Sequence, residues 1–155
     1  MTQEDKELLL LKDLCVRLPF NNHLVEYKGE EYNVLGIAHG RLVLCKPFMS
    51  YTLNEHPLVE EVKPYLFPLS SITEEQKKEL LELTGYEPRY EESCGFDSWG
   101  FYVNIVGEYK YEDGKQSILL YPDDIGIDWL NKNHFDYRGL IEKGLAIDAT
   151  GLNVY

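Results

Sequence analysis

Between positions 134 and 139 the chain reads His-Phe-Asp-Tyr-Arg-Gly. An imidazole oriented by a carboxylate can act as a general base, because the carboxylate fixes the ring tautomer and leaves the other nitrogen free to take a proton. His134 and Asp136 would be that pair, in a small hydrolase-like enzyme. The same residues also have a purely local reading. Asp136 is an N-cap for a helix over 137–143, Phe135 and Leu140 fall at the two ends of a hydrophobic staple, and Gly144 with Leu145 suits a Schellman ending. A capping carboxylate is occupied by backbone amides, and residues two apart across a turn rarely meet. The local reading therefore leads. Gly139 inside such a helix costs about 1 kcal/mol relative to alanine, which predicts another element packed close to it. His134, Tyr137 and Arg138 are left over. Together with Trp129 they are residue types suited to a partner contact.

The element before the motif is a helix over 124–132. Asp123 or Asp124 caps it, Ile125, Trp129 and Leu130 supply its apolar face, and Asn133 and His134 suit its C-terminal end. At the start of the chain, Leu8, Leu11, Cys15 and Leu18 repeat at helical spacing, widened by Leu10 and Leu14, behind a Thr2–Asp5 capping pair. That predicts a helix over 3–17, stopped at Pro19. Strands at about 24–27, 31–37 and 41–46 form a meander with turns at Lys28-Gly29 and His39-Gly40. Leu58–Leu66 suggests a short strand or helical turn among four prolines. Thr73 and Gln76 form a capping box for a further helix that ends at Gly85. A polar loop is expected over 86–98, then two or three strands with a hairpin at Asp113-Gly114.

Twelve tyrosines stand out. Tyr102, Tyr109, Tyr111 and Tyr121 fall on the later predicted strands, and Tyr109 and Tyr111 share one face at period two. A half-buried sheet face explains them. An aromatic platform for a partner is the functional alternative.

The formal net charge is −12 over 155 residues. Residues 1–53 carry seven acids against six bases, residues 54–92 ten against four, and residues 93–155 ten against five. Such a surface repels phosphate backbones and anionic membranes. An acidic nucleic-acid mimic, with Glu60, Glu61, Glu91 and Glu92 among its carboxylates, is the special case. Cys15, Cys45 and Cys94 form no disulfide framework. Together with the acidic N-terminal stretch and the absence of a long apolar run, they point to the cytoplasm. His23, His39, His56 and His134 form no CxxC, HExxH or HxH spacing with each other or the cysteines, so no metal is expected. There is no Walker loop or dinucleotide fingerprint, and no cofactor is expected. Gly-Phe-Asp-Ser-Trp-Gly places its serine one position too late for a nucleophile elbow.

Three stretches, EDKELLLLKDLCVRLPF, VKPYLFPLSSITEEQKKELLEL and DWLNKNHFDYRGLIEKGLAI, cover about 60 residues. They resemble a large group of proteins of no established activity from gut Bacteroides-type bacteria and their phages and prophages. The resemblance implies a cytoplasmic bacterial or phage origin and an interaction module or inhibitor, and it carries over no catalytic residue. The expected fold is α+β in one domain over 1–155, with a composition shift near residue 86. It would hold one or two antiparallel sheets, the first meander belonging to a small SH3-like barrel, and about four helices. The expected function is a non-enzymatic protein-interaction module.

Overall fold

The computed structural model describes residues 1–20, 23–49, 51–85, 87–93, 96–105, 116–120 and 124–155, with backbone alone over 87–120. The fold is α+β, in two compact units: Met1–Pro68 with Asn131–Tyr155, and Leu69–Leu130.

In the first unit, α1 (Gln3–Arg17) begins at a reciprocal capping box. The Asp5 amide donates to Thr2 Oγ1 at 3.1 Å and the Thr2 amide donates to Asp5 Oδ2 at 2.8 Å. The meander follows as β1 (Leu24–Tyr27), β2 (Glu30–Ala38) and β3 (Arg41–Cys45). Both hairpin turns place two consecutive residues at positive φ, Lys28-Gly29 and His39-Gly40. That geometry matches the right-handed twist of the strands they join. A 3-10 turn at Val59–Glu61 leads into β4 (Lys63–Pro68), which pairs antiparallel with β1. Two short strands near the end, β8 (Phe135–Asp136) and β9 (Ile147–Asp148), pair parallel with β4. The result is an open, mixed, mostly antiparallel six-stranded sheet. It is not closed into the barrel expected from the meander, because β4 continues into parallel pairing with the C-terminal strands instead of returning to β3.

Alternation along the strands gives the sheet two apolar faces. Val25, Tyr27, Tyr32, Val34, Leu42, Leu44 and Leu66 join Leu10 and Leu14 of α1 in the main core. Leu24, Tyr65 and Ala149, with Phe67, Ile147 and Val154, form a separate cluster. The buried face of α1 contains Leu10, Asp13, Leu14 and Arg17, while Leu8 and Cys15 are exposed. The apolar stripe is therefore rotated from the expected one, and a charged pair lies inside it.

In the second unit, α2 (Glu74–Thr84) has the expected capping box, with the Gln76 amide donating to Thr73 Oγ1 at 3.2 Å, and ends at left-handed Gly85. Strands β5 (Glu87–Ser93), β6 (Phe96–Ile105) and β7 (Gln116–Leu120) form an antiparallel sheet in that order. The expected polar loop over 86–98 is thus largely strand. Propensity argues against it, but pairing with β6 supplies the ladder, and Pro88 is tolerated because β5 has a strand on one side only among the described residues. The Asp113-Gly114 hairpin lies outside the described residues. Helix α3 (Asp124–Lys132) runs across the division between the units at residue 130.

Three α-helices occur among the described residues. The fourth expected helix, over 137–143, is a succession of turns. Gly139 and Gly144 both take positive φ, +68° and +70°, which interrupts the right-handed path at two points in six residues. Gly139 is therefore explained by its backbone conformation and not by a neighbouring element; a Cβ there would meet only the mobile end of Lys143, with Nζ at 2.8 Å.

Candidate functional site

The opening motif folds around a buried ion pair that local sequence does not announce. Asp13 and Arg17 lie one turn apart on α1, and both side chains have 0% exposure. Arg17 Nε donates to Asp13 Oδ2 at 2.8 Å, and Nη2 donates to Asp13 Oδ1 at 3.0 Å. The same Nη2 donates to the Phe135 carbonyl oxygen at 2.8 Å, anchoring the C-terminal segment to the helix. Arg138 Nε lies 3.5 Å from Asp13 Oδ1, so two guanidiniums share one carboxylate. Tyr137 is near both, its ring centre 5.7 Å from the Arg17 guanidinium and 5.0 Å from that of Arg138. Such an arrangement offsets the desolvation of two buried charges by bidentate geometry and cation–π contact.

Asp136 faces the backbone. Its Oδ1 accepts from the Leu140 amide at 2.9 Å and its Oδ2 from the Ile141 amide at 2.8 Å. The carboxylate thus does the work of a cap, although the segment it organises is a turn and not a helix.

His134 terminates α3 in the left-handed conformation, φ +60°. Its ring stacks on Tyr155 at 3.8 Å between centroids, 11° from parallel, and lies within 5° of parallel to His23 at 6.3 Å. The Tyr155 hydroxyl donates to the Tyr65 carbonyl oxygen at 2.8 Å. Burial pushes the His134 imidazole down to about 4, and the positive charge of Arg17 adds to the shift. His23 is pushed to about 3 by burial, then by Arg17 and His134. Both rings are neutral near pH 7. A general base needs a pKa near the working pH and a partner that orients it. His134 is far from that pKa, and the Asp136 carboxylate is bonded elsewhere.

Of the residues proposed as a partner face, Trp129 and His134 are buried, and Tyr137 and Arg138 are half-buried within the Asp13–Arg17 network. Tyr109 and Tyr111 lie outside the described residues. Glu60 and Glu61 lie on the 3-10 turn after β3, and the side chains of Glu91 and Glu92 are not described. Asp13, Arg17, His23 and Tyr155 are the residues that sequence reasoning missed. For the first two there was a signal: opposite charges at i and i+4, interleaved with Leu10 and Leu14. No local pattern could have paired His134 with Tyr155.

Two concavities open on the first unit. One, about 500 Å³, lies between the first turns of α1, the β2–β3 turn and the 3-10 turn. The other, about 450 Å³, is bounded by residues of β1, β2, the segment after β3, His134 and the C-terminal residues. Among the described residues no cluster of three or more His, Cys, Asp or Glu could hold a metal ion, and no helix is long and apolar enough to cross a membrane. Protein-family models, curated proteins and solved structures return no match to this chain.

Proposed function

We propose that the chain is a non-enzymatic interaction module that takes a short partner segment bearing an apolar anchor flanked by Lys or Arg. The observation that carries this reading is the groove at the start of α1. Its floor is Leu8, Leu11, Leu58 and Val59, its rim is Glu4, Asp5, Glu7 and Glu60, and no basic side chain lines it among the described residues. Leu8 and Leu58 remain exposed there. Asp5 is occupied by its cap, which leaves Glu4, Glu7 and Glu60 for a partner.

The Glu7 carboxyl is held above its ordinary value, first by a hydrogen bond with Glu60 and then by desolvation. A partner's ammonium or guanidinium placed beside the Glu7 and Glu60 carboxyls relieves their repulsion. Apolar contact supplies affinity and the acidic rim supplies selectivity and rate of encounter. A groove of this size takes one or two side chains, so the partner contributes a linear segment. The resemblance of three stretches to bacterial and phage proteins supports a cytoplasmic setting, in which that segment belongs to a host or phage protein.

Selection of a random peptide pool on the purified chain tests this. Enrichment of an apolar residue flanked by Lys or Arg, lost in Leu8→Asp and in the double variant Glu7→Lys/Glu60→Lys, is the expected result. No enrichment, or binding that survives both variants, overturns it.

A further inference from the structure

The second concavity has a different chemistry. Leu24, Glu31 and Asn33 line it. Glu31 and Asn33 alternate along β2 with Tyr32 and Val34, which point into the main core, so the cleft lies on the opposite face of the sheet. Aromatic surface comes from two sources: the Tyr155–His134 stack and Phe48, whose ring is fully exposed at the rim.

Backbone strain concentrates at the same place. Five non-glycine residues have positive φ among those described, and three of them line this cleft: Phe48 at +64°, His134 at +60° and Asn153 at +26°. Bulky residues take that conformation at a cost, and such strain gathers where a surface is shaped for binding. Polar capacity is also unspent. Asn33 Oδ1 and His134 Nδ1 are buried without a hydrogen-bond partner, and His134 is 8% exposed. Buried polar atoms are ordinarily satisfied.

We infer that this cleft binds an uncharged, amino-substituted heteroaromatic ring of nucleobase type, stacked on Phe48 and on Tyr155, which His134 backs, and donating its amino hydrogens to the Glu31 carboxylate and to Asn33, whose amide oxygen turns outward to accept. The volume suits a small planar ligand. Glu31 is the charged side chain of the lining, and no Lys or Arg joins it among the described residues. A phosphorylated form of the same ring is therefore repelled. This site is separate from the groove at α1 and does not depend on its occupant.

The test is titration of the full chain with adenine and with cytosine, followed by ligand-observed NMR. N6,N6-dimethyladenine, which lacks the donor hydrogens, and adenosine monophosphate serve as comparisons. Saturable binding of adenine or cytosine is expected, weakened at least fivefold by Phe48→Ala and by Asn33→Leu and unchanged in Glu7→Lys/Glu60→Lys. Both comparison ligands should bind at least fivefold more weakly than adenine. Phe48 makes no buried contact, so its replacement leaves the fold intact. Absence of saturable binding by both bases overturns the inference. So does binding indifferent to Phe48→Ala and Asn33→Leu, or adenosine monophosphate binding as tightly as adenine.

Discussion

Arg17 and Phe135 are 118 residues apart in sequence, yet Arg17 Nη2 donates to the Phe135 carbonyl oxygen at 2.8 Å. This bond ties the opening helix to the strand that closes the parallel part of the sheet. It also helps a guanidinium to be tolerated at 0% exposure, since Asp13 and this carbonyl take the protons of Nε and Nη2.

Removing Asp13 leaves that guanidinium buried without its counter-charge. Asp13→Ala should destabilise the fold by about 3–5 kcal/mol, the range for breaking one half of a buried pair. The double variant Asp13→Leu/Arg17→Met should cost less than Asp13→Ala alone. Urea denaturation of the variants measures both. A single-variant loss below about 1 kcal/mol would show that the pair is not buried as described.

Asp136→Ala strips the acceptors from one buried and one half-buried amide and should cost about 1–3 kcal/mol. Asp136→Asn keeps one acceptor and should lose less. Amide hydrogen exchange at Leu140 and Ile141 should quicken in the alanine variant. Unaltered protection there would mean that the carboxylate does not organise the turn.

Gly139→Ala places a Cβ at φ +68°, where the left-handed conformation costs an ordinary residue about 1–2 kcal/mol. Lys143 can move aside, so the backbone term dominates. Gly36→Ala is the control: its φ is not in that region and no atom lies within 4 Å of the added Cβ. It should be neutral in the same thermal melt.

The two imidazoles make stability depend on pH. Their folded values, about 3 for His23 and about 4 for His134, lie below the ordinary value of 6.5. The unfolded chain therefore takes up protons first, and folding stability is full above pH 6.5. It declines as pH falls from 6.5 toward 4, by about 1.4 kcal/mol per pH unit for each ring at most. Chemical denaturation at pH 7.5, 6, 5 and 4.5 gives the slope, and His23→Leu should flatten it. A slope unchanged by that variant would place the titration elsewhere.

Much of the scaffold was legible from local pattern. The α1 and α2 capping boxes, the left-handed Gly85 and the two hairpin turns each involve residues at most three or four apart, so their chemistry is complete within a short window. Asp136 was legible as a ligand for backbone amides for the same reason. The helix expected after it was not formed, because propensity over seven residues is weak against two glycines that favour left-handed turns.

Local sequence thus determined where helices begin, where hairpins reverse and that Asp136 serves the backbone. Only tertiary structure decided that Asp13 and Arg17 would be buried, that β4 would take parallel partners from the C-terminal segment, and that His134 would stack on Tyr155. The reason is physical. A cap or turn forms between neighbours already held close by the chain, whereas these contacts join groups far apart in sequence. Their free energy appears only after the intervening chain has been ordered.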